Sequence, residues 1–179
     1  MKIDVIRPRD LTDGQIARWT ALQAQDPALQ NPFFSPQWAR AVERAQSRGD
    51  SDPGVRIAVL GDDEGFFSAR TGTFTAMPAG APMADYQGVV GPAGFDFDPK
   101  ALVRALGVSR LDFSHMLRDQ APFAPYLRGE AQSWVVDVGA GYGDYEIETR
   151  ARSSVLKVLV QSEFSCRTWE LTFSGSCVA

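Results

Sequence analysis

Histidine is all but absent from this sequence, and cysteine nearly so. His115 is the only imidazole, and the two cysteines, Cys166 and Cys177, both lie near the C-terminal end. Their spacing is not that of a CxxC redox or zinc motif. A His/Cys metal cluster is therefore not available, and a Ser/His/Asp triad would have to be built on His115 alone. Positive charge is also short. Against 22 Asp and Glu stand 18 Lys and Arg, for a formal net charge of -4, with no basic run or stripe. That removes the phosphate-neutralising surface on which nucleic-acid binding depends. No apolar run approaches the roughly 20 residues needed to span a bilayer. The N-terminus, "MKIDVIRPRD", has no apolar core of signal-peptide length. These absences point to a soluble, cytoplasmic protein with no nucleic-acid partner and no membrane span. What is present is ordinary: 179 residues, 44% hydrophobic and 22% charged, enough for one domain with a core.

The pattern along the chain reads as strands and helices in alternation. "KIDVI" (2–6) is a short strand. Thr12 then caps a helix, with Gln15 completing a capping box. Ile16, Trp19 and Leu22 stripe that helix, and Pro27 stops it. In "NPFFSPQWARAVERAQ" (31–46), Ser35 is an N-cap and Pro36 suits the first helical position. Trp38, Val42 and Ala45 share a face. After a polar loop from Gly49 to Gly54, Val55, Ile57 and Val59 alternate into "GDDEG" and a second strand, a hairpin. Residues 76–92 are rich in Gly, Pro and Ala and read as loop, with "MADYQGVVG" running into a short apolar strand. Asp98-Pro99 opens a third helix that Gly107 closes. "RLDFSHML" (110–117) reads as one strand and "WVVDV" (134–138) as another, followed by a helix in "GDYEIETRARSSVLK". Hairpins mixed with helices predict an α/β fold: a mixed sheet of about five to seven strands flanked by helices at 12–25, 35–47 and 98–106.

One stretch carries a cofactor signature. In "WVVDVGAGYG" an apolar run reaches Asp137 and then Gly139, Gly141 and Gly143. This resembles the turn of S-adenosylmethionine-dependent methyltransferases, and Glu163 lies about where such folds place a ribose-binding acid. Too little chain follows Asp137 to complete that fold, however. A glycine turn between strand and helix also arises for steric reasons alone. A connector is the favoured reading, with a methyltransferase fragment as the lesser alternative.

The segments "NPFFSPQWARAV", "MADYQGVVGPAGFDFDPKALVRALG", "RLDFSHML" and "DQAPFAPY" together resemble a bacterial branch of the GNAT acyltransferase superfamily. Its members are associated with cellulose or capsular polysaccharide biosynthesis. The resemblance covers about residues 1–157. It implies a GNAT-like mixed sheet and a protein built of two such halves in tandem, of which this chain is the N-terminal one. It further implies transfer of an acyl group from acetyl-CoA or another acyl-CoA to the amine of a small-molecule acceptor, such as an amino sugar. The second half is expected to hold the acyl-CoA, between a splayed strand and the free amides of a helix N-terminus. No segment here carries the Gln/Arg-x-x-Gly-x-Gly/Ala pattern of that site, so an incomplete tandem protein, inactive alone, is expected. From Val158 the composition changes abruptly, and 158–179 reads as a divergent tail, a truncation or frameshift product that could still form a strand. The alternative from another class is a half-domain that binds without catalysing.

Within that framework Asp85, Tyr86 and Gln87 are the candidate substrate-binding residues, placed to hold the acceptor at a groove edge. The competing reading is structural, with Asp85 capping a turn and Tyr86 packed, and it is favoured. His115 is read as a structural rather than catalytic histidine. Asp62, Asp63 and Glu64 read as a solvated turn, not a metal site. No catalytic base, acyl-CoA ligand or metal ligand is assigned.

Overall fold

The computed structural model describes residues 1–46, 54–132, 141 and 165–172. It is an α/β fold with a mixed sheet. Strands β1 (Ile3–Ile6), β2 (Val55–Leu60), β3 (Gly65–Thr71), β4 (Thr75–Pro78) and β5 (Arg110–Asp112) lie side by side in that order. The first three steps are antiparallel, and β4 runs parallel to β5. Strand β8 (Ser165–Thr172) then pairs with β5, with β6 (Met116–Leu117) and with β7 (Leu127–Gln132). Among the described residues there are eight strands: the sequence pattern misses β7 and also β4, most of which falls in the 76–92 stretch read as loop, the tail supplies β8, and "RLDFSHML" divides into β5 and β6.

Helices α1 (Asp13–Gln25) and α2 (Pro36–Gln46) cover one face, and α3 (Pro99–Ala105) lies in the core on the other. Strand β2 shows why both faces need cover. Ile57 and Val59 join the cluster of Trp19, Leu22 and Phe34, while Ala58 and Leu60 join that of Leu102, Val103 and Leu111. The alternation Val55, Ile57, Val59 describes only half of this strand, because Ala58 and Leu60 on the other face are also apolar and equally buried, and only Arg56 is polar and half-buried.

The helix starts form as their residue types dictate. Thr12 Oγ1 accepts from Gln15 N and Gln15 Oε1 accepts from Thr12 N, a complete capping box. Ser35 Oγ accepts from Trp38 N, and Asp98 Oδ1 from Lys100 N. Gly107, at φ 71°, closes α3 in the left-handed region open to glycine. On α2 the buried face is Pro36, Ala39 and Val42, with Ala45 exposed and Trp38 half-buried. Trp38 instead donates its indole N–H to Ala79 O at 3.1 Å. The strand at 134–138, the Gly139–Gly143 turn, the following helix and the loop at 47–53 lie outside the described residues, apart from Gly141.

Candidate functional site

Strand β4 stops at Pro78, and residues 79–86 leave the sheet. The chain returns at Gln87–Val90. Val90 exchanges backbone hydrogen bonds with Phe66 of β3 at 2.8 Å each way, and Gln87 bridges in parallel to Met116 of β6. This segment resumes the place that β4 gave up. The short apolar strand expected here exists as these two bridges rather than as a ladder.

Two side-chain amides do what a ladder would have done. Gln87 is 2% exposed. Its Oε1 accepts from Ser114 N at 3.0 Å and His115 N at 3.3 Å. Its Nε2 donates to Ala84 O and to Ser114 Oγ. The backbone between β5 and β6 is thereby satisfied off the sheet, which is why "RLDFSHML" breaks at Phe113–His115. Gln120 repeats the device: its Oε1 accepts from Val89 N at 2.9 Å and its Nε2 donates to Val89 O at 3.1 Å. A Cβ on Gly88 would meet the Gln120 side chain at 3.0 Å, so a larger residue there would push on that doubly bonded amide.

Of the three residues singled out from the sequence, Gln87 thus has its amide committed to backbone and Ser114. Asp85 is exposed, and Tyr86 is half-buried against the α1 and α2 face. They share no single pocket wall. Tyr86 and Gln87 border a void of about 10 Å³ with Ser68 and Trp19. That is about one water's worth of space. His115 is half-buried, with Nδ1 2.9 Å from Ser114 Oγ. The acidic turn is a turn: Asp63 sits at φ 58°, and its Oδ1 accepts from Gln15 Nε2 at 3.1 Å. No group of three His, Cys, Asp or Glu that could hold a metal occurs among the described residues, and no helix there is long and apolar enough to cross a membrane.

A larger cleft lies next to Val89, with a volume of about 170 Å³. Its walls include Asp26 at the end of α1, Phe95 and Phe97 from the loop before α3, Leu117 at the end of β6, and Asp119 and Gln120 after it. Sequence reasoning missed it because its residues come from three distant segments. Phe95 is the outer end of a chain of ring contacts that runs through Phe97, Phe123 and Phe113 to Phe67 in β3. It also lies against two glycines: a Cβ on Gly65 or Gly91 would come within 2.5 or 2.9 Å of the ring. That wall is fixed by packing. Asp26 is fixed by capping, its Oδ1 accepting from Ala28 N at 2.9 Å.

The described residues do not fit acyl-CoA. The only described α-helix that follows β4 in the chain, α3, spans seven residues. Its N-terminal amide at Lys100 is taken by Asp98, which also pairs with Arg104 at 3.2 Å. A pyrophosphate would meet that carboxylate. The space beyond β4, beside β3 and β6, is filled by Gln87–Val90. Compared with known proteins, the chain matches no family model, no curated protein and no solved structure.

Proposed function

We propose that this chain is the acceptor-side, N-terminal half of a GNAT-type N-acyltransferase, acting with a second half that holds acetyl-CoA or another acyl-CoA. The reaction is transfer of the acyl group to an amine, that of an amino sugar in polysaccharide biosynthesis. The observation that carries this reading is a small cleft beside a mixed sheet whose β4–β5 step is parallel and brief. That step pairs only Thr75 with Arg110 and Ala76 with Leu111. In this reading the cleft takes the acceptor and the second half takes the cofactor. The resemblance over 1–157 divides the labour in the same way.

A non-catalytic binding half is the second reading, favoured by the filled gap at Gln87–Val90 and by the Asp98 cap. One experiment separates the two. Acetyl-CoA is titrated into the 179-residue chain, and thiol release is followed with amino-sugar acceptors. The same assay is run on residues 1–157 fused to the C-terminal half of a family acyltransferase. The chain alone should bind acetyl-CoA poorly and release no thiol, while the fusion should turn over. A fusion that binds acetyl-CoA yet never acylates any amine would favour the non-catalytic half. Tight binding or turnover by the chain alone would put the acyl-CoA site within these residues and overturn both.

A further inference from the structure

We propose that the 170 Å³ cleft between the end of α1, the loop before α3 and the turn after β6 binds one monosaccharide-sized cation, an amine-bearing polyol such as a hexosamine. The inference deepens the acyltransferase reading: it rests on that reading for the fate of the amine, but not for its binding.

Size limits the ligand first. A cleft volume of about 170 Å³ falls short of the roughly 300–1,000 Å³ of pockets that take drug-sized ligands, so it suits a ligand of about one sugar ring. Charge limits it next. The ionisable side chains of the lining are Asp26 and Asp119, and no Lys, Arg or His lines it among the described residues. An anion entering there meets two carboxylates and no compensating cation, while an ammonium is attracted by both. Asp26 Oδ1 is committed to Ala28 N, which leaves Oδ2 to accept from a ligand. Asp119 is an exposed residue of the lining, and its carbonyl accepts from Ala121 N at 2.9 Å, which holds the local turn. The rest of the lining includes aromatic and aliphatic side chains, Phe95, Phe97 and Leu117. The C–H faces of a sugar ring bury well against such a wall, and a neighbouring ammonium gains from the ring quadrupole. Gln120 contributes shape rather than recognition, since both ends of its amide are occupied by Val89.

The test is binding alone, so it does not depend on acyl transfer. Glucosamine, glucose and N-acetylglucosamine are titrated into the isotopically labelled 179-residue chain and followed by amide chemical shifts. Glucosamine should bind saturably, with a Kd on the order of 1 mM for so small a ligand, shifting Phe95, Leu117 and Asp119. Glucose and N-acetylglucosamine, which lack the charge, should bind roughly tenfold more weakly or not at all. Asp119→Asn and Asp26→Asn keep shape and capping, and each should weaken glucosamine by about three- to tenfold. Asp10→Asn, away from the cleft, should change nothing. Equal binding of glucose, no saturable binding of glucosamine, shifts centred elsewhere, or affinity unchanged in folded Asp26→Asn/Asp119→Asn would each overturn the proposal. Failure of the fusion to acylate while glucosamine still binds here would instead overturn the acyltransferase reading and leave the cleft standing.

Discussion

The half of the sheet built from β1, β2 and β3 and the half built around residues 84–123 solve the same problem by different means. In the first, every strand meets its neighbour in a continuous antiparallel register, Ile3–Ile6 against Ile57–Leu60 and Val55–Leu60 against Gly65–Arg70. Backbone groups satisfy one another, and side chains are left free to pack. In the second, strands are two or three residues long, and a buried Gln87 and a half-buried Gln120 supply the missing partners from their side chains. The first arrangement is repetitive and tolerant. The second depends on single residues, and it is the one that borders the cleft. Irregular backbone frees a surface from the ladder and shapes it, at the cost of making its stability hang on a few amides.

The contrast can be broken most forcefully through the core of the regular half. Phe66 is fully buried and stacks on Trp19 with ring centroids 4.9 Å apart. Phe66→Ala should cost about 4 kcal/mol in chemical denaturation, without altering glucosamine binding once the protein is folded. In the irregular half Gln87→Leu should cost about 3 kcal/mol, because Ser114 N and His115 N are left without their acceptor. Hydrogen exchange should accelerate at those two amides and at Met116 while β2 and β3 stay protected. A loss under 1 kcal/mol with 113–117 still protected would show that the side chain is not what ties that segment. Gln120→Leu should cost about 2 kcal/mol and expose Val89 N to exchange, since that amide has Gln120 as its acceptor.

Smaller effects sharpen the regular side of the comparison. Thr12→Ala removes the capping box of α1 and should cost about 1 kcal/mol, read as a lowered denaturation midpoint with an unchanged slope. Least of all is Lys2, whose ammonium lies 2.7 Å from Asp4. The hydrogen bond to Asp4, and then its charge, raise the lysine pKa above 10.5. A raised value in the folded state means that any stabilisation is fully present below the ordinary lysine pKa and fades as pH climbs through the raised one. Both side chains are exposed, so Lys2→Met should leave the melting temperature at pH 7 unchanged within error, and any residual difference between wild type and variant should vanish above about pH 11.

The chain's sequence by itself determined its local events. Thr12 with Gln15, Ser35 before Pro36, Asp98 before Pro99 and Gly107 each act within four residues, through a side chain or a φ angle that needs no distant partner. The β2–β3 hairpin around "GDDEG" is local in the same sense. What only the tertiary structure decided is everything that depends on a residue far along the chain. "RLDFSHML" has the alternation of one strand, but Gln87, 27 residues earlier than Ser114, takes the amide that would have continued it. Ala45 has the helical spacing of a core residue, yet the core lies beneath Ala39 and Val42. Asp85, Tyr86 and Gln87 are adjacent in sequence but point to solvent, to the helical face and into a buried network. Asp26, Phe95 and Asp119 are far apart in sequence and line one cleft. Caps and turns are settled by bonds that close over a few residues, whereas a cleft is settled by which apolar faces must be buried against one another, and that is a property of the whole chain.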